Sequence, residues 1–319
     1  MKKKYKLFHL VGYLLLAFII YYFVDFKTFI NNLNKISLYA AIILLIVATI
    51  DRFIMAAKWM HLCSALNMTT GYLQFLKIYY VTTFLGYTLP TVIGGEVYKA
   101  ARLSRFEKSH DVLASMFVEK IIGVFSTISF AWIGVLYITY NLDNENSATL
   151  FYILTGLTIT ALLVTWASLH PVIQGKLIQL LSRFRIRRYI EKLTTAYSSY
   201  KSHRRIITWN FLIAIFETAL ALSIKCGVAI TLNVEVPLLI LVAIIAITEF
   251  IRRIAIILDG WGLATALQIF MYSLVGMTVE QALLIALLSH AVHFTAALPG
   301  GVLILTDRWD KTRTDSSTT

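Results

Sequence analysis

Cysteine and charged residues are scarce in this sequence, and their scarcity narrows the class of protein. Two of the 319 residues are cysteine, Cys63 and Cys226, and both lie in or beside apolar segments. Two such thiols provide neither a disulfide framework nor the ligand spacing of a zinc site. Charged residues make up 14% of the chain and hydrophobic residues 58%. A composition this apolar is typical of a membrane protein rather than a soluble domain.

Long apolar runs fill the chain instead. Mean hydropathy is +0.74, and several runs reach the roughly 20 residues that cross a bilayer as a helix. We therefore predict an all-α polytopic membrane protein with a single transmembrane domain over residues 1–319. The first apolar run lacks a small-residue cleavage site, which favours an uncleaved span over a signal peptide. The eight expected spans are 7–24, 38–58, 112–140, 150–169, 206–230, 236–257, 262–276 and 281–305.

The positions of lysine and arginine predict the orientation, because cytoplasmic loops carry an excess of both. Four lysines among the first six residues place the N terminus inside, and the basic segment 175–205 and the tail 306–319 fall on the same side. The loops near Asp143, Glu235 and Glu280 contain no lysine or arginine, as expected of outer loops. We expect a multi-pass protein of the cell membrane with both termini cytoplasmic.

A broken apolar segment at 72–98 is set apart from the eight spans. Leu89–Pro90 interrupts it, Gly94–Gly95 follows, and lysine or arginine flanks it on both sides. Proline ends or kinks a helix, and broken backbone is tolerated inside a membrane only where protein or a water-filled cavity surrounds it. Because both flanks favour the cytoplasm, we predict a re-entrant hairpin with its tip near Pro90. A full crossing is the alternative, since 72–89 is about long enough for one.

Charged residues also occur inside the predicted spans, where they are costly and usually face a bundle interior. Taken singly, each is explained by a structural salt bridge or by a side chain that reaches the interface. Four of the cations fall at a common cytoplasmic depth, so we predict that they face one internal cavity suited to an anionic headgroup such as a phosphate. The four cations are Arg52, Lys120, Arg252 and Arg253.

Further interruptions occur in the second half of the chain. Ala296–Gly301 contains Pro299 and two glycines, and Asp259–Gly262 adds another break. Paired interruptions in two halves are typical of transporters with internal repeats, so an internal repeat is one interpretation. His290 and His293 lie in the last span, and hydrogen-bonded interior histidines are favoured over a proton relay.

The basic segment 175–205 mixes apolar residues with its bases. It can lie as an amphipathic helix on the inner leaflet, although the topological excess of positive charge explains it equally well. No nucleic-acid-binding module accompanies these bases, so no nucleic acid is expected as a partner.

The order and spacing of several short motifs resemble the lysylphosphatidylglycerol synthase transmembrane region family over nearly the whole chain. The motifs are Leu89–Pro90, Gly94–Gly95–Glu96, Lys99 and Arg102, with Arg52 and Lys58–Trp59 before them and Glu119–Lys120, Gly123, Gly260–Trp261–Gly262 and Pro299–Gly300–Gly301 after them. The resemblance implies an eight-span bundle that moves a polar lipid or a lipid-linked headgroup between leaflets.

The sequence departs from the family pattern at three places. Pro90–Thr91 stands where a proline-glycine pair is usual, and Glu96 and Lys99 stand for an aspartate and an arginine. Ala264–Thr265 replaces the usual arginine-glutamate pair, which bears on the identity of the substrate and on activity. A soluble aminoacyl-transferase domain, which bifunctional members carry, is not expected here.

From the residues and the resemblance together we predict a translocator of a phospholipid or of a polyprenyl-phosphate-linked headgroup. An integral-membrane enzyme acting on lipid phosphates is an alternative, with Glu96, Glu119, His290 or His293 as acid or base. A membrane scaffold for the synthesis of envelope glycolipid or polysaccharide is another, and the expected partners besides membrane lipids are a second copy of the chain or an envelope-biosynthesis protein. No catalytic residue, metal ligand or cofactor is predicted. The candidate substrate-binding residues are Arg52, Pro90, Gly94, Gly95, Glu96, Lys99, Arg102, Glu119, Lys120, Glu249, Arg252, Arg253, Gly260, Gly262, Pro299 and Gly300.

Overall fold

The structure of the protein, a computed structural model, describes residues 37–88, 93–141, 187–254 and 261–306, with short stretches at 27, 30–31, 151–152, 154–156, 158–163, 166 and 170. Within these ranges the chain forms nine continuous α-helices, as the all-α prediction expects. They are α1 Leu38–Cys63, α2 Tyr72–Thr88, α3 Ile93–Leu103, α4 Ser109–Asn141, α5 Arg187–Ser199, α6 Arg204–Thr231, α7 Leu238–Ile254, α8 Trp261–Ser273 and α9 Val279–Thr306.

Four described helices, α1, α4, α6 and α9, are long and apolar enough to cross a bilayer. They coincide with the predicted spans 38–58, 112–140, 206–230 and 281–305. The predicted spans 236–257 and 262–276 fall on the shorter α7 and α8, and 150–169 is described only in part. The predicted span 7–24 lies outside the described residues. The count of eight spans and the internal repeat therefore stay predictions.

Side chains cap the N-termini of two of the long helices. Ser37 Oγ accepts a hydrogen bond from the Ala40 N–H at 3.1 Å before α1. Ahead of α9, the Thr278 N–H donates to Gln281 Oε1 at 3.1 Å, and the Gln281 N–H donates to Thr278 Oγ1 at 3.3 Å. This reciprocal pair is a capping box, which satisfies donors that the first turn of a helix leaves without partners.

Helices α2 and α3 form a hairpin whose two ends are tied together. A Cβ built on Gly95 would lie 2.5 Å from the Thr82 carbonyl oxygen, so the helices approach as closely as a glycine allows. At the base, Glu107 Oε1 accepts hydrogen bonds from the Thr69 N–H and the Thr70 N–H, both at 2.9 Å. The Thr70 hydroxyl donates to the same oxygen at 2.6 Å. The chain therefore enters and leaves the hairpin at one end.

The hairpin also stops part way along α9. Tyr80 lies against Gly300, the Phe84 and Phe294 rings stack at 6.1 Å, and the Tyr87 ring meets the edge of His290 at 4.7 Å. Since His290 lies near the middle of the 28-residue α9, α2 ends at about half the depth of that span. Whether this segment re-enters the membrane or crosses it fully stays a prediction. The turn itself, including Pro90, lies outside the described residues.

Labelling of single cysteines tests the membrane topology of the hairpin. Lys77 on α2 and Arg105 just after α3 are both exposed, and the predicted hairpin places both toward the cytoplasm. Each position is changed to cysteine in a background without Cys63 and Cys226. An impermeant thiol reagent is expected to label both from the cytoplasmic side of oriented vesicles. Labelling of the two positions from opposite sides would establish a full crossing and rule out the hairpin.

Helix α5, in the basic segment 175–205, packs on the protein through its C-terminal half. Ala196 and Tyr197 are buried in a cluster with Leu62 and Val118 from α1 and α4. The Tyr200 hydroxyl, in the short turn that follows, donates to the Leu62 carbonyl at 3.2 Å. An apolar face is therefore present, as the sequence predicts, and it is covered by other helices of the same chain. Its contact with the inner leaflet stays a prediction.

The expected interruption at Ala296–Gly301 is wrong in the structure, because α9 runs without a break through Pro299 to Thr306. The glycines there serve close packing. A Cβ on Gly300 would overlap the Tyr80 carbonyl oxygen, and one on Gly301 would press on the Phe84 ring. A proline removes one helical hydrogen bond, yet the helix continues here with the hairpin packed against it.

Candidate functional site

The centre of the candidate site is a buried ion pair between the hairpin and α4. Lys99 Nζ on α3 lies 2.6 Å from Glu119 Oε2, and the Tyr79 hydroxyl on α2 donates to Glu119 Oε1. Lys99 is 3% exposed. Burial of a charge among apolar helices is costly unless it is paired and hydrogen-bonded, and both conditions are met here.

Aromatic rings complete the surroundings of the Lys99 ammonium. Its Nζ lies 4.0 Å from the Trp59 ring centroid and 4.3 Å from that of Tyr79. Trp59 is held in place because its Nε1–H donates to Ser115 Oγ at 3.1 Å. The ring faces attract a cation electrostatically, most strongly when water is excluded. Trp59 and Tyr79 were not predicted as site residues, although the two-residue motif Lys58–Trp59 points to one of them.

A second buried pair joins α1 to α6. Lys58 Nζ lies 2.6 Å from Glu217 Oε2, with both side chains almost fully buried. The Asn210 amide donates to the Lys58 carbonyl at 2.8 Å and fixes the same end of the helix. Sequence reasoning had placed Lys58 in the family motif Lys58–Trp59 but not among the candidate site residues. The residue lies inside the bundle because α1 extends to Cys63, five residues past the predicted end at 58.

Arg52 on α1 is buried among groups that occupy only some of its donors. Its Nη1 lies 3.5 Å from Asp51 Oδ2 and 3.2 Å from Met55 Sδ, and its Nη2 lies 2.9 Å from His293 Nδ1 on α9. The buried Nε has no hydrogen-bond partner. A guanidinium carries five N–H donors. Arg52 therefore retains donor capacity that a multidentate anion can use.

The adjacent residues Glu119 and Lys120 serve different partners, as the roughly 100° between neighbours on a helix predicts. Glu119 is buried against Lys99, whereas Lys120 Nζ lies 2.7 Å from Glu96 Oε1 with 63% of its side chain exposed. The expectation that Lys120 shares an internal cavity with Arg52 is therefore wrong in this structure. The side chains of Arg252 and Arg253, the other two cations of that prediction, lie outside the described residues.

Glu249, a predicted substrate-binding residue, pairs with Lys225 across α6 and α7. Lys225 Nζ also lies 3.3 Å from Gln268 Oε1 on α8. Gln268 is about one turn beyond Ala264–Thr265, where this chain departs from the family pattern. The side-chain amide of Gln268 on α8 is therefore a neutral third member of the Lys225–Glu249 pair.

The N-terminus of α3 follows the turn of the hairpin. Gly94 and Gly95 are in its first turn, and Gly95 approaches the α2 backbone. The close backbone approach that Gly95 allows is therefore to the neighbouring helix α2. Glu96 is also in the first turn, and a carboxylate there interacts favourably with the positive end of the helix dipole. An anion that binds at this terminus must therefore overcome the charge of Glu96, which Lys120 offsets.

The structure brings together two pairs of predicted site residues, Lys99 with Glu119 and Glu96 with Lys120. Arg102 is buried near the end of α3, and Pro299 and Gly300 lie on α9 beside the hairpin. Gly262 is in the first turn of α8, where the structure describes only the backbone. Gly260 lies outside the described residues. Four buried cations in the described part of the chain face a carboxylate: Arg52–Asp51, Lys58–Glu217, Lys99–Glu119 and Lys225–Glu249.

The fold and the site define a helical membrane protein with balanced ion pairs around a hairpin that stops within the bundle. Residues 9–300 match the family described as Lysylphosphatidylglycerol synthase TM region. The chain belongs to this family, as the motifs predicted. Comparison with curated proteins gave no significant match.

Proposed function

We propose that this protein moves a phospholipid or a lipid-linked anionic headgroup between the leaflets of the cell membrane. The headgroup passes through the polar interior while its hydrocarbon tail stays in lipid. The observation that carries the proposal is Arg52, a guanidinium that is 4% exposed, lies within a spanning helix and has an Nε with no hydrogen-bond partner. A phosphate supplies several acceptor oxygens, two of which the planar fork of a guanidinium can bind in parallel.

The balanced ion pairs support the same proposal. Without a headgroup, Lys99 and Lys58 are neutralised by Glu119 and Glu217, so the empty interior is stable in an apolar membrane. A phosphate that enters competes with those carboxylates for the lysines. Because Lys99 belongs to the hairpin and Glu119 to α4, this exchange of partners couples headgroup binding to the position of the hairpin.

Acid-base chemistry on a lipid phosphate is supported less well. Both oxygens of Glu119 are already engaged, Oε1 with Tyr79 and Oε2 with Lys99. Glu96 is held by Lys120 and His293 by Arg52. Groups held in this way are suited to balancing charge, whereas a general base needs a free acceptor beside the reacting group. A role as a scaffold is the other alternative, and the next experiment distinguishes it from translocation.

Reconstitution into liposomes tests the proposal. Phosphatidylglycerol with a dithionite-sensitive fluorophore on its acyl chain reports exchange between leaflets. The wild-type protein is expected to expose inner-leaflet probe to dithionite, and Arg52→Gln is expected to slow this at least about tenfold, because a buried charged contact is worth about 1.5–3 kcal/mol. Lys108→Gln removes the same charge at an exposed position and serves as the control.

Two results would contradict the proposal. If Arg52→Gln exchanged the probe as fast as the wild type, Arg52 would not be the headgroup ligand. If the wild-type protein exchanged neither this probe nor a phosphorylated polyprenol analogue, translocation would be rejected in favour of a scaffold.

A further inference from the structure

We propose that headgroup binding at Arg52 is coupled to proton uptake by His293, so that one proton travels with the anionic headgroup. This inference rests on the proposed function and assigns its energy coupling. His293 lies on α9 beside the hairpin tip, and its ring stacks on Tyr87 with 6.3 Å between centroids. The same residue is the partner of the guanidinium to which the headgroup is expected to bind.

The contact between the two side chains fixes the state of the imidazole. Arg52 Nη2 lies 2.9 Å from His293 Nδ1. Arginine has donors only, so His293 Nδ1 must be the acceptor, and the ring is neutral with its proton on Nε2. A protonated imidazole has a donor at both nitrogens. Protonation of Nδ1 therefore removes this hydrogen bond and places two cations against each other.

The surrounding charges decide when that proton can be held. The titratable groups near His293 are Arg52 on α1, Tyr87 on α2, Lys225 on α6, Glu249 on α7 and His290 on α9 itself, and Asp51 lies beside Arg52. Two cations there face two carboxylates, and α8 contributes the neutral Gln268 through Lys225. A proton on His293 leaves this group with one excess positive charge, which an apolar interior disfavours.

An anionic headgroup on Arg52 supplies the missing negative charge. The bound anion draws Arg52 away from His293 and stabilises the imidazolium, so headgroup and proton each increase the affinity for the other. The proton comes from water on the side where the headgroup binds, is held on Nδ1, and returns to water where the headgroup leaves. No bond of the lipid changes. A pH difference then drives the headgroup from the acidic to the alkaline side.

Titration calorimetry measures the coupling directly. The purified protein is titrated with dihexanoyl phosphatidylglycerol in buffers of different ionisation enthalpy, from about pH 5 to about pH 8, the range in which imidazole titrates. The dependence of the binding heat on the buffer gives the number of protons taken up. The wild type is expected to take up as much as about one proton per headgroup at the pH where coupling is greatest.

Two single variants separate His293 from its neighbour. His293→Gln keeps an acceptor for Arg52 but cannot titrate, so its proton uptake is expected to fall to near zero. His290→Gln, one turn earlier on α9 and in contact with the same Tyr87, is the matched control and is expected to keep the wild-type uptake.

The outcomes distinguish this inference from the proposed function. Uptake by the wild type that is lost only in His293→Gln would support proton coupling. Binding without uptake in the wild type, or uptake that persists in His293→Gln, would overturn the coupling while leaving the headgroup site intact. Absence of any binding heat would overturn the headgroup site and the coupling with it.

Discussion

Replacement of Glu119 by glutamine is expected to lower the free energy of unfolding by about 3–5 kcal/mol, because it leaves a buried ammonium without its carboxylate. Lys99 depends on Glu119 for its 2.6 Å contact, and the rings of Trp59 and Tyr79 offset only part of the lost interaction, about 2 kcal/mol when desolvated. The measurement is unfolding of the purified variant in nanodiscs of fixed lipid composition. Headgroup movement is expected to decrease as well.

The neighbouring residue provides a matched comparison. Lys120→Ala breaks a pair that is largely exposed, for which about 0–1 kcal/mol is typical, so its unfolding should stay near that of the wild type. Lys99→Met combined with Glu119→Leu removes both buried charges and is expected to recover most of the lost stability. A double variant as unstable as Glu119→Gln would show that the ion pair is not the origin of the effect.

Gly300→Ala is expected to displace the hairpin from α9. The added Cβ would overlap the backbone oxygen of Tyr80, and backbone cannot rotate away as a side chain can. Forced overpacking costs about 1–3 kcal/mol, and the displaced hairpin would also carry Tyr87 off the two histidines. We expect a lower unfolding temperature together with slower headgroup exchange.

Gly86→Ala is the control for this substitution. Gly86 belongs to α2, and a Cβ there would meet nothing within 4 Å. Alanine in a helix is about 0.5–1 kcal/mol more favourable than glycine, so Gly86→Ala should leave stability unchanged or raise it. Similar losses in both variants would mean that any alanine in this region is harmful and that the contact between Gly300 and Tyr80 is not special.

Patterns local in sequence predicted much of the fold. Apolar runs locate α1, α4, α6 and α9, since length and hydropathy suffice to identify a spanning helix. The break at Leu89–Pro90 falls between α2 and α3, which pack against each other, and re-entry of this pair from the cytoplasm stays a prediction. Helical spacing also predicted that Glu119 and Lys120 point to different partners.

Contacts between distant segments could not be predicted in the same way. The Arg52–His293 contact joins residues 241 positions apart, and no periodicity encodes such a pairing. At Pro299 the sequence predicted a helix break that the structure does not have. Its motif resembles that of Pro90, but helix α9 continues through it, and Gly300 there lies against the hairpin backbone, a contact that depends on tertiary packing. Lys120 was expected in an internal cavity but is largely exposed beside Glu96, because the position of a residue along a helix does not determine which face of the helix it occupies.

The distance along the chain between Arg52 and His293 has a consequence for how the protein is made. At about 5–20 residues per second, roughly 10–50 s of synthesis separate the two residues, which are 241 positions apart. During that interval α1 must enter the membrane with its guanidinium while α9 does not yet exist. Asp51, whose carboxylate lies 3.5 Å from the Arg52 guanidinium, is the counter-charge already present on the nascent segment. Asp51 therefore offsets the charge of Arg52 while α1 inserts into the bilayer, before His293 has been translated.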